Sequence, residues 1–447
     1  MALLDSFSCE CVKSELDLFS VPPTQTSIEQ TFYKEYYPVS LIEANAPLEF
    51  HVIGAEDEYL DLQQSFLYIT ASIRKRDGSA INPPVGQNEP SDASYVFPIN
   101  YFAATQFKNI EVILCGVQVS PNDVLYPYRS WIESTLTYGS SKKEQLQAGF
   151  YYPDKNAPDI HDKTVAEEEC RNEGARTRFN LTRYSKKFEM ITRVHHSLFN
   201  QPKLLLGKVD LRLKFHRHDP KFCLMAFSEN VGYSIQIDKA VLNICHKRVS
   251  PSVRESHEIG LLKTPAKYPL RLSEMKFFTK AQGTADLSEP NLYTGILPRR
   301  VVIGLVSSTA YNGSYLQNPL NFQSFNLSSI QLRKNGTTLP FEELKLDFDD
   351  EHVLFGYMSL FQGMGRLFTN ETMDMTWRDY IASGQTLYVF DLSQDATESN
   401  LSLLQEGKLS LHIKLGRALQ ESCTVIAYLE KEGLIEIDKE RNVTLEG

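Results

Sequence analysis

Glu56, Asp57, Glu58 and Asp61 crowd together in PLEFHVIGAEDEYLDLQQSFLYITASI, residues 47–73. Carboxylates grouped in this way can ligate a hard cation, share protons as a general acid and base, or face water where two strands connect. A calcium loop needs the Asp-x-Asp-x-Asp-Gly spacing that wraps backbone and side chains around the ion, and that spacing is absent here. Tyr59 and Leu60 precede Asp61 and Leu62 follows it, so the acids interrupt an alternating apolar pattern as a turn does. The expectation is the solvated end of a hairpin. A second cluster, Asp347, Asp349, Asp350 and Glu351 in LDFDDEH, reads as a loop as well, although a pair of carboxylates in a cleft would be the seat of a glycoside hydrolase.

Other constellations fall short of the chemistry they resemble. His216, His218 and Asp219 in FHRHDP could share a metal from one strand face, but two ligands without a clear third make no site, and a strand end running into Asp-Pro explains them. His257 opens HEIGL like a metalloprotease helix, yet Leu261 stands where the second histidine must be. Gly139 in TYGSSKKEQ lacks the second glycine and the Gly-Lys-Ser/Thr ending of a phosphate loop, and Gly363 and Gly365 in FQGMG lack the third glycine of a dinucleotide loop. Cys115 falls in an expected strand rather than at a helix start that would favour a thiolate. No Gly-x-Ser-x-Gly elbow occurs. The sequence therefore assigns no catalytic, cofactor-binding or metal-binding residue, and the chain is expected not to be an enzyme.

The densest basic stretch, Arg171, Arg176, Arg178, Arg183, Lys186 and Lys187, is interleaved with Phe179 and Tyr184. That pattern suits a nucleic-acid face, a solvated loop, or ion pairs to an acidic neighbouring subunit. The net charge of −10 argues against a chain that wraps a phosphate backbone, because such affinity comes from clustered Lys and Arg releasing counterions.

The elements that must position these residues read as strands. At 447 residues, with 42% hydrophobic and 11% aromatic side chains, the chain can build two sizeable cores. The N-terminus has Asp5 and Glu10 where a secretory signal needs positive charge, so the expected location is cytosol or nucleus. Seven scattered cysteines are an odd count for a disulfide framework, and thiols are expected. Strands are expected at 48–53, 66–73, 107–119, 186–194, 208–215, 233–245, 299–307, 328–333, 385–392, 408–415 and 422–429. One helix is expected over YRSWIESTLTYGSSKKEQLQAGF, stopped by Gly149, with Trp131, Ile132 and Leu136 on one face. The segment up to about Ser40, with VPPTQTS and FYKEYYP, reads as an arm, and residues 154–178 as a purposeful loop or mobile insertion.

A faint repeat links the halves. IEVILCGVQV and IQLRKNGTTL set Ile110 against Ile330, Val112 against Leu332, Gly116 against Gly336 and Val119 against Leu339, an offset of 336 − 116 = 220 residues. Tyr-x-Ser follows each, at Tyr128 and Tyr357. Closely spaced strands without alternating helices, in two similar halves, point to two antiparallel sandwiches, most economically two jelly rolls.

In LDLFSVPPTQTSIEQ, PLEFHVIGAEDEYLDLQQSFLYI, YPYRSWIESTLTYG, LLKTPAKYPLRLSEMKFFTK, LPRRVVIGLVSSTAYNGSYLQNPLNFQSFNLSSIQL, GQTLYVFDLS and IAYLEKEGLIEIDKERNV, covering most of residues 16–443, the chain resembles the double jelly-roll major capsid proteins of Polinton or Maverick transposons and adintovirus-like DNA viruses. The resemblance implies an all-β chain of two tandem eight-stranded antiparallel jelly rolls with a few short helices in loops. Its divisions would be an N-terminal arm at 1–40, a first jelly roll at 41–250, a linker at 251–268, and a second jelly roll with a C-terminal tail at 269–447. It further implies homotrimers of pseudo-hexagonal outline tiling an icosahedral shell, a penton-type single jelly-roll partner, DNA enclosed without sequence-specific contacts, and a place in the virion capsid after synthesis in the host cytoplasm, with the nucleus as a candidate site of assembly. It supplies no catalytic residues and no cofactor. The acidic stretch at Glu56 falls between the first two strands, and residues 154–178, outside the matching blocks, are an exposed loop or an intersubunit arm. A carbohydrate-binding or hydrolytic β-sandwich and a host-domesticated capsid-derived protein are the competing readings.

Overall fold

Leu48, Phe50 and Val52 are buried while the residues between them are half-exposed, the period of two that a strand with one wet face imposes. The same grammar recurs through the computed structural model, which describes residues 7, 13–43, 46–83, 94–121, 124–338, 342–369, 373–393 and 403–446. In the first half the main strands, in chain order, are Ile28–Tyr36, Leu48–Val52, Glu58–Lys75, Phe107–Leu114, Val117–Gln118, Phe188–Thr192, Leu211–Arg217 and Tyr233–Val249. They form two antiparallel four-stranded sheets, ordered first-eighth-third-sixth and second-seventh-fourth-fifth.

The second half repeats this plan. Its main strands are Ala266–Lys280, Glu289–Ile296, Arg300–Ser307, Leu327–Lys334, Thr337–Thr338, Leu387–Asp391, Glu406–Leu415 and Cys423–Ile437. Counted in the same way, they again pair first-eighth-third-sixth and second-seventh-fourth-fifth, with Leu344–Lys345 and Val443–Glu446 added at the margins. No described sheet takes strands from both halves. Each pair of sheets closes over its own buried apolar face, and the molecule is an all-β double jelly roll with short helices in the connections.

The repeat read from the sequence is a duplicated hairpin. Phe107–Leu114 turns into Val117–Gln118 through Cys115 (φ 45°) and Gly116 (φ 87°), and Leu327–Lys334 turns into Thr337–Thr338 through Asn335 (φ 51°) and Gly336 (φ 85°). Two successive residues in the left-handed region define the hairpin turn whose twist matches its strands, which is why a glycine stands at the same place in both. Cys115 is thus a turn residue rather than a strand residue. Leu339 lies outside the described residues.

Several strands run where none is expected, Glu289–Ile296 among them. Ile28–Tyr36, in the segment read as an arm, pairs along Tyr233–Val249 as an edge strand. Ala266–Lys280 crosses the segment read as linker, and its prolines conceal it: Pro269 sits within the strand opposite Leu434. An edge strand tolerates proline because one row of its amides has no ladder to join. The expected single helix is two, Tyr126–Thr137 and Ser140–Leu146, broken at extended Tyr138, and its last turn ends at Gly149 as expected. Among the described residues no helix is long and apolar enough to cross a membrane.

Candidate assembly surfaces and the seam between the rolls

The acidic stretch is an ion-pair cluster more than a wet hairpin end. Glu56 and Asp57 lie in the connection before Glu58–Lys75, but Glu58 and Asp61 belong to the strand itself. The break in alternation is a bulge: Phe66 pairs with Asn243 and Asp61 with Cys245, leaving the residues between them outside the ladder. Ser65 fills that bulge by donating to the Asp61 carbonyl and accepting from the Cys245 amide. Each carboxylate meets a cation. Glu56 pairs with Lys208 at 2.9 Å, Asp57 with Arg248 at 3.3 Å and Asp61 with Lys247 at 3.5 Å. Glu58, only 6% exposed, holds Lys34 at 2.6 Å and His246 at 2.8 Å. The cluster therefore ties the first, third and eighth strands of this half together.

The remaining candidates disperse. His216 bonds Glu111 at 2.6 Å, whereas His218 stacks on Phe222 with ring centroids 3.8 Å apart, and Asp219 caps the helix Pro220–Cys223. His257 bonds the Tyr59 hydroxyl at 3.0 Å. Asp347 accepts the amides of Asp349 and Asp350 within its own turn, and Asp349 pairs with Arg417 at 2.7 Å. Gly363 ends the helix Leu354–Gly363 where a Cβ would come within 2.5 Å of Val389, so packing explains that glycine. Among the described residues no three His, Cys, Asp or Glu side chains converge as a metal site. The described cysteines, 115, 170, 223, 245 and 423, are thiols; Cys9 and Cys11 lie outside the described residues.

The basic stretch is divided by its own fold. Arg178, 1% exposed, pairs with Asp154 at 2.5 Å and donates to the carbonyls of Pro98 and Tyr152. Lys187 pairs with Asp238 at 2.9 Å, and Arg183 lies over the Tyr184 ring. The segment 154–178 is consequently tied to the body of the chain through buried side chains, although residues such as Lys155 and Glu168 remain exposed. Asp154 and Asp159 reach the second half, where Asn318 donates to Asp154 at 3.1 Å and Asn321 to Asp159 at 2.6 Å. Asn172 caps the helix Glu173–Thr182 and also donates to Asp154, which anchors the segment from below.

This clamp is one part of a seam that sequence reasoning missed. The helix Tyr126–Thr137 faces the second half: Tyr128 stacks on Tyr311, Trp131 stacks on Phe322 at 4.9 Å, and Arg129 reaches Ser273. Glu133 accepts from His195 at 3.0 Å and from the Tyr428 hydroxyl at 3.4 Å. Burial opposes ionisation of Glu133, but the His195 hydrogen bond and the nearby Arg129 and Arg193 outweigh it and hold its carboxyl below the usual range. Burial keeps His195 neutral, so its Nδ1–H faces Glu133 and its Nε2 accepts from Tyr101 at 2.8 Å. The signal available in sequence was Trp131, one of only two tryptophans. Above this wall lies a cleft of about 680 Å³ between the halves.

Outward-facing apolar residues gather elsewhere. Leu16, Leu18, Phe19 and Val21 are exposed along the N-terminal segment, Phe19 to 97%. Tyr33 and Tyr37 stand out from the edge strand Ile28–Tyr36 and its end.

Two sheets per half, built on the same four-strand order twice, define the double jelly-roll fold of viral major capsid proteins. No family model matches the chain. A chain of the Sputnik virophage, solved by cryo-EM, covers 100% of this chain and 94% of its own length with a TM-score of 0.65 at 9% identity. The Faustovirus major capsid protein covers 96% and 92% with a TM-score of 0.54 at 8% identity. The mavirus major capsid protein covers 100% and 95% with a TM-score of 0.53 at 9% identity. At such identities the likeness is one of fold, and it agrees with the resemblance drawn from the sequence. In sequence, the uncharacterized protein F54H12.2 of Caenorhabditis elegans is 23% identical over 431 residues, 94% of this chain and 98% of its own.

Proposed function

We propose that this chain is a structural, non-enzymatic capsid protein whose copies associate as homotrimers of pseudo-hexagonal outline and tile an icosahedral shell around double-stranded DNA. The observation that carries the reading is the duplication: three chains with two like-ordered rolls each supply six similar sandwiches, so a closed trimer approximates six-fold tiling. Interfaces on the order of 2,000 Å² or more would be needed for an obligate trimer. We divide the chain for this purpose into an arm, a first roll, a connecting segment centred on the helix Pro251–Leu261, and a second roll. The exposed apolar residues of the arm suit a clasp to a neighbouring capsomer or an underlying protein, and a penton-type single jelly-roll protein would close the vertices. The acidic net charge fits enclosure of DNA rather than sequence-specific binding. Its place is the virion capsid, after synthesis in the host cytoplasm.

Light scattering of the purified protein, followed by negative-stain imaging of the same peak, tests the reading. A mass of about three times 50.9 kDa with hexagonal outlines supports it. A monomer that stays monomeric at high concentration and with candidate minor capsid proteins added would refute it. The nematode relative spanning 98% of its own length favours a second reading, in which an animal genome carries such a chain as a domesticated copy; its shells would form without packaged DNA.

A further inference from the structure

The cleft between the rolls has a chemistry that assembly does not explain. Its first-half wall carries Lys142, Arg193 and Lys203, and its second-half wall Arg271, Arg300 and Arg366. Against these six cations stand three carboxylates, Glu133, Glu430 and Glu432, a local positive excess in a chain whose net charge is −10. The acids are already engaged: Glu430 with Arg300 at 3.1 Å and Arg271 at 3.6 Å, Glu432 with Arg299 at 3.3 Å, and Glu133 with His195. Of the first-half cations Arg193 has a carboxylate nearby, Glu133, and among the described residues none of the three forms a direct ion pair with one. Arg193 donates only to neutral oxygens, of Tyr138, Phe199 and Asn200, and its Nε is buried without a hydrogen-bond partner. Lys203 donates to the Lys267 carbonyl, and Lys142 lies over the Tyr138 ring.

We propose that this cleft seats a small multivalent phosphate, held between the two rolls by Lys142, Arg193 and Lys203 on one wall and the arginines of the other. Guanidinium forks and ammonium groups are the donors that match phosphate oxygens, and several converging cations favour a ligand of several negative charges over a single one. The volume of about 680 Å³ is that of a small-molecule site, too small for a nucleic-acid duplex. A bound ligand bridges both walls and so stabilises the folded chain as a unit.

Thermal unfolding of the full chain with sodium tripolyphosphate, at constant ionic strength and with sulfate as control, tests this whatever the oligomeric state and independently of the capsid reading. The expected result is a saturable rise in Tm with tripolyphosphate and no comparable rise with sulfate, and calorimetry giving one ligand per chain. Lys142→Glu, at an exposed position, should keep the unliganded Tm and weaken apparent affinity at least tenfold, while Lys263→Glu, outside the cleft, should not. The proposal is overturned by the absence of a saturable shift, an equal response to sulfate, the same loss in Lys263→Glu, or one ligand per three chains.

Discussion

Trp131 of the first roll lies flat on Phe322 of the second, with centroids 4.9 Å and ring planes 19° apart. Phe322 in turn fills the space over Gly304, where a Cβ would meet its ring at 2.3 Å. The stack is thus set into the second roll's sheet and not merely laid upon it. Trp131→Ala should cost about 3–5 kcal/mol, since it opens a buried cavity at the seam. Chemical denaturation with two probes, one in each roll, is the measurement; loss of a single shared transition is the expected form of the damage.

Asp154 joins buried Arg178 to Asn318 across the seam. Asp154→Ala leaves a guanidinium buried without its counter-charge and should destabilise by about 3–5 kcal/mol. Replacing Arg178 by Met in the same chain should restore much of that loss, because the cost lies in the orphaned charge. An additive double mutant would count against this account.

Acid should weaken the fold before the carboxylates titrate. Burial holds His196 down to about 3 and His218 to about 4, from an ordinary 6.5. Below about pH 6.5 the unfolded chain therefore takes up protons that the folded chain refuses. Each histidine costs up to about 1.4 kcal/mol per pH unit until the folded pKa is reached. Urea midpoints between pH 7 and pH 5 should fall, and His218→Gln should flatten the slope.

The twin hairpins predict a stabilising exchange. Cys115 occupies the left-handed position that Asn335 fills in the second roll, and asparagine tolerates that conformation better. Cys115→Asn should gain about 0.5 kcal/mol. Asn335→Cys should lose more than that, because the Asn335 side chain also accepts the Lys408 amide at 2.8 Å. Paired melting curves suffice.

Deleting residues 1–27 should leave the folded chain and its oligomer intact while weakening shell formation, the outcome expected of a clasp. Extending the deletion to residue 36 removes the edge strand and the Lys34–Glu58 ion pair, and should lower stability as well. Normal shells from the shorter deletion would sink the clasp.

Strands with one wet face were legible because their period survives in composition; Leu48–Val52 and Leu327–Lys334 are examples. What escaped were strands whose residue types obey a different rule. Ala266–Lys280 carries a proline that only an edge admits, and edges are a property of topology, not of local sequence. The acidic stretch misled for a related reason: a bulge breaks alternation as a turn does, but continues the strand. A missing second histidine or glycine is visible without coordinates, because spacing alone rules out the motif. The seam was not legible, because Asp154 and Asn318, or Trp131 and Phe322, lie far apart in the chain and carry no local pattern.

Pro269 marks a further consequence. On the outward row of its strand, the carbonyls of Lys267 and Arg271 are taken by Lys203 and Ser197 of the first roll, and the residue between them has no amide hydrogen to offer. The second roll thus has its edge finished by its neighbour within the same chain. Freed by a cut in the connecting segment, it would present those carbonyls to any strand that came by, and sticking to others of its kind would replace folding alone. An exposed edge of that kind is an aggregation hazard, so the two rolls are expected to stay soluble only as one chain.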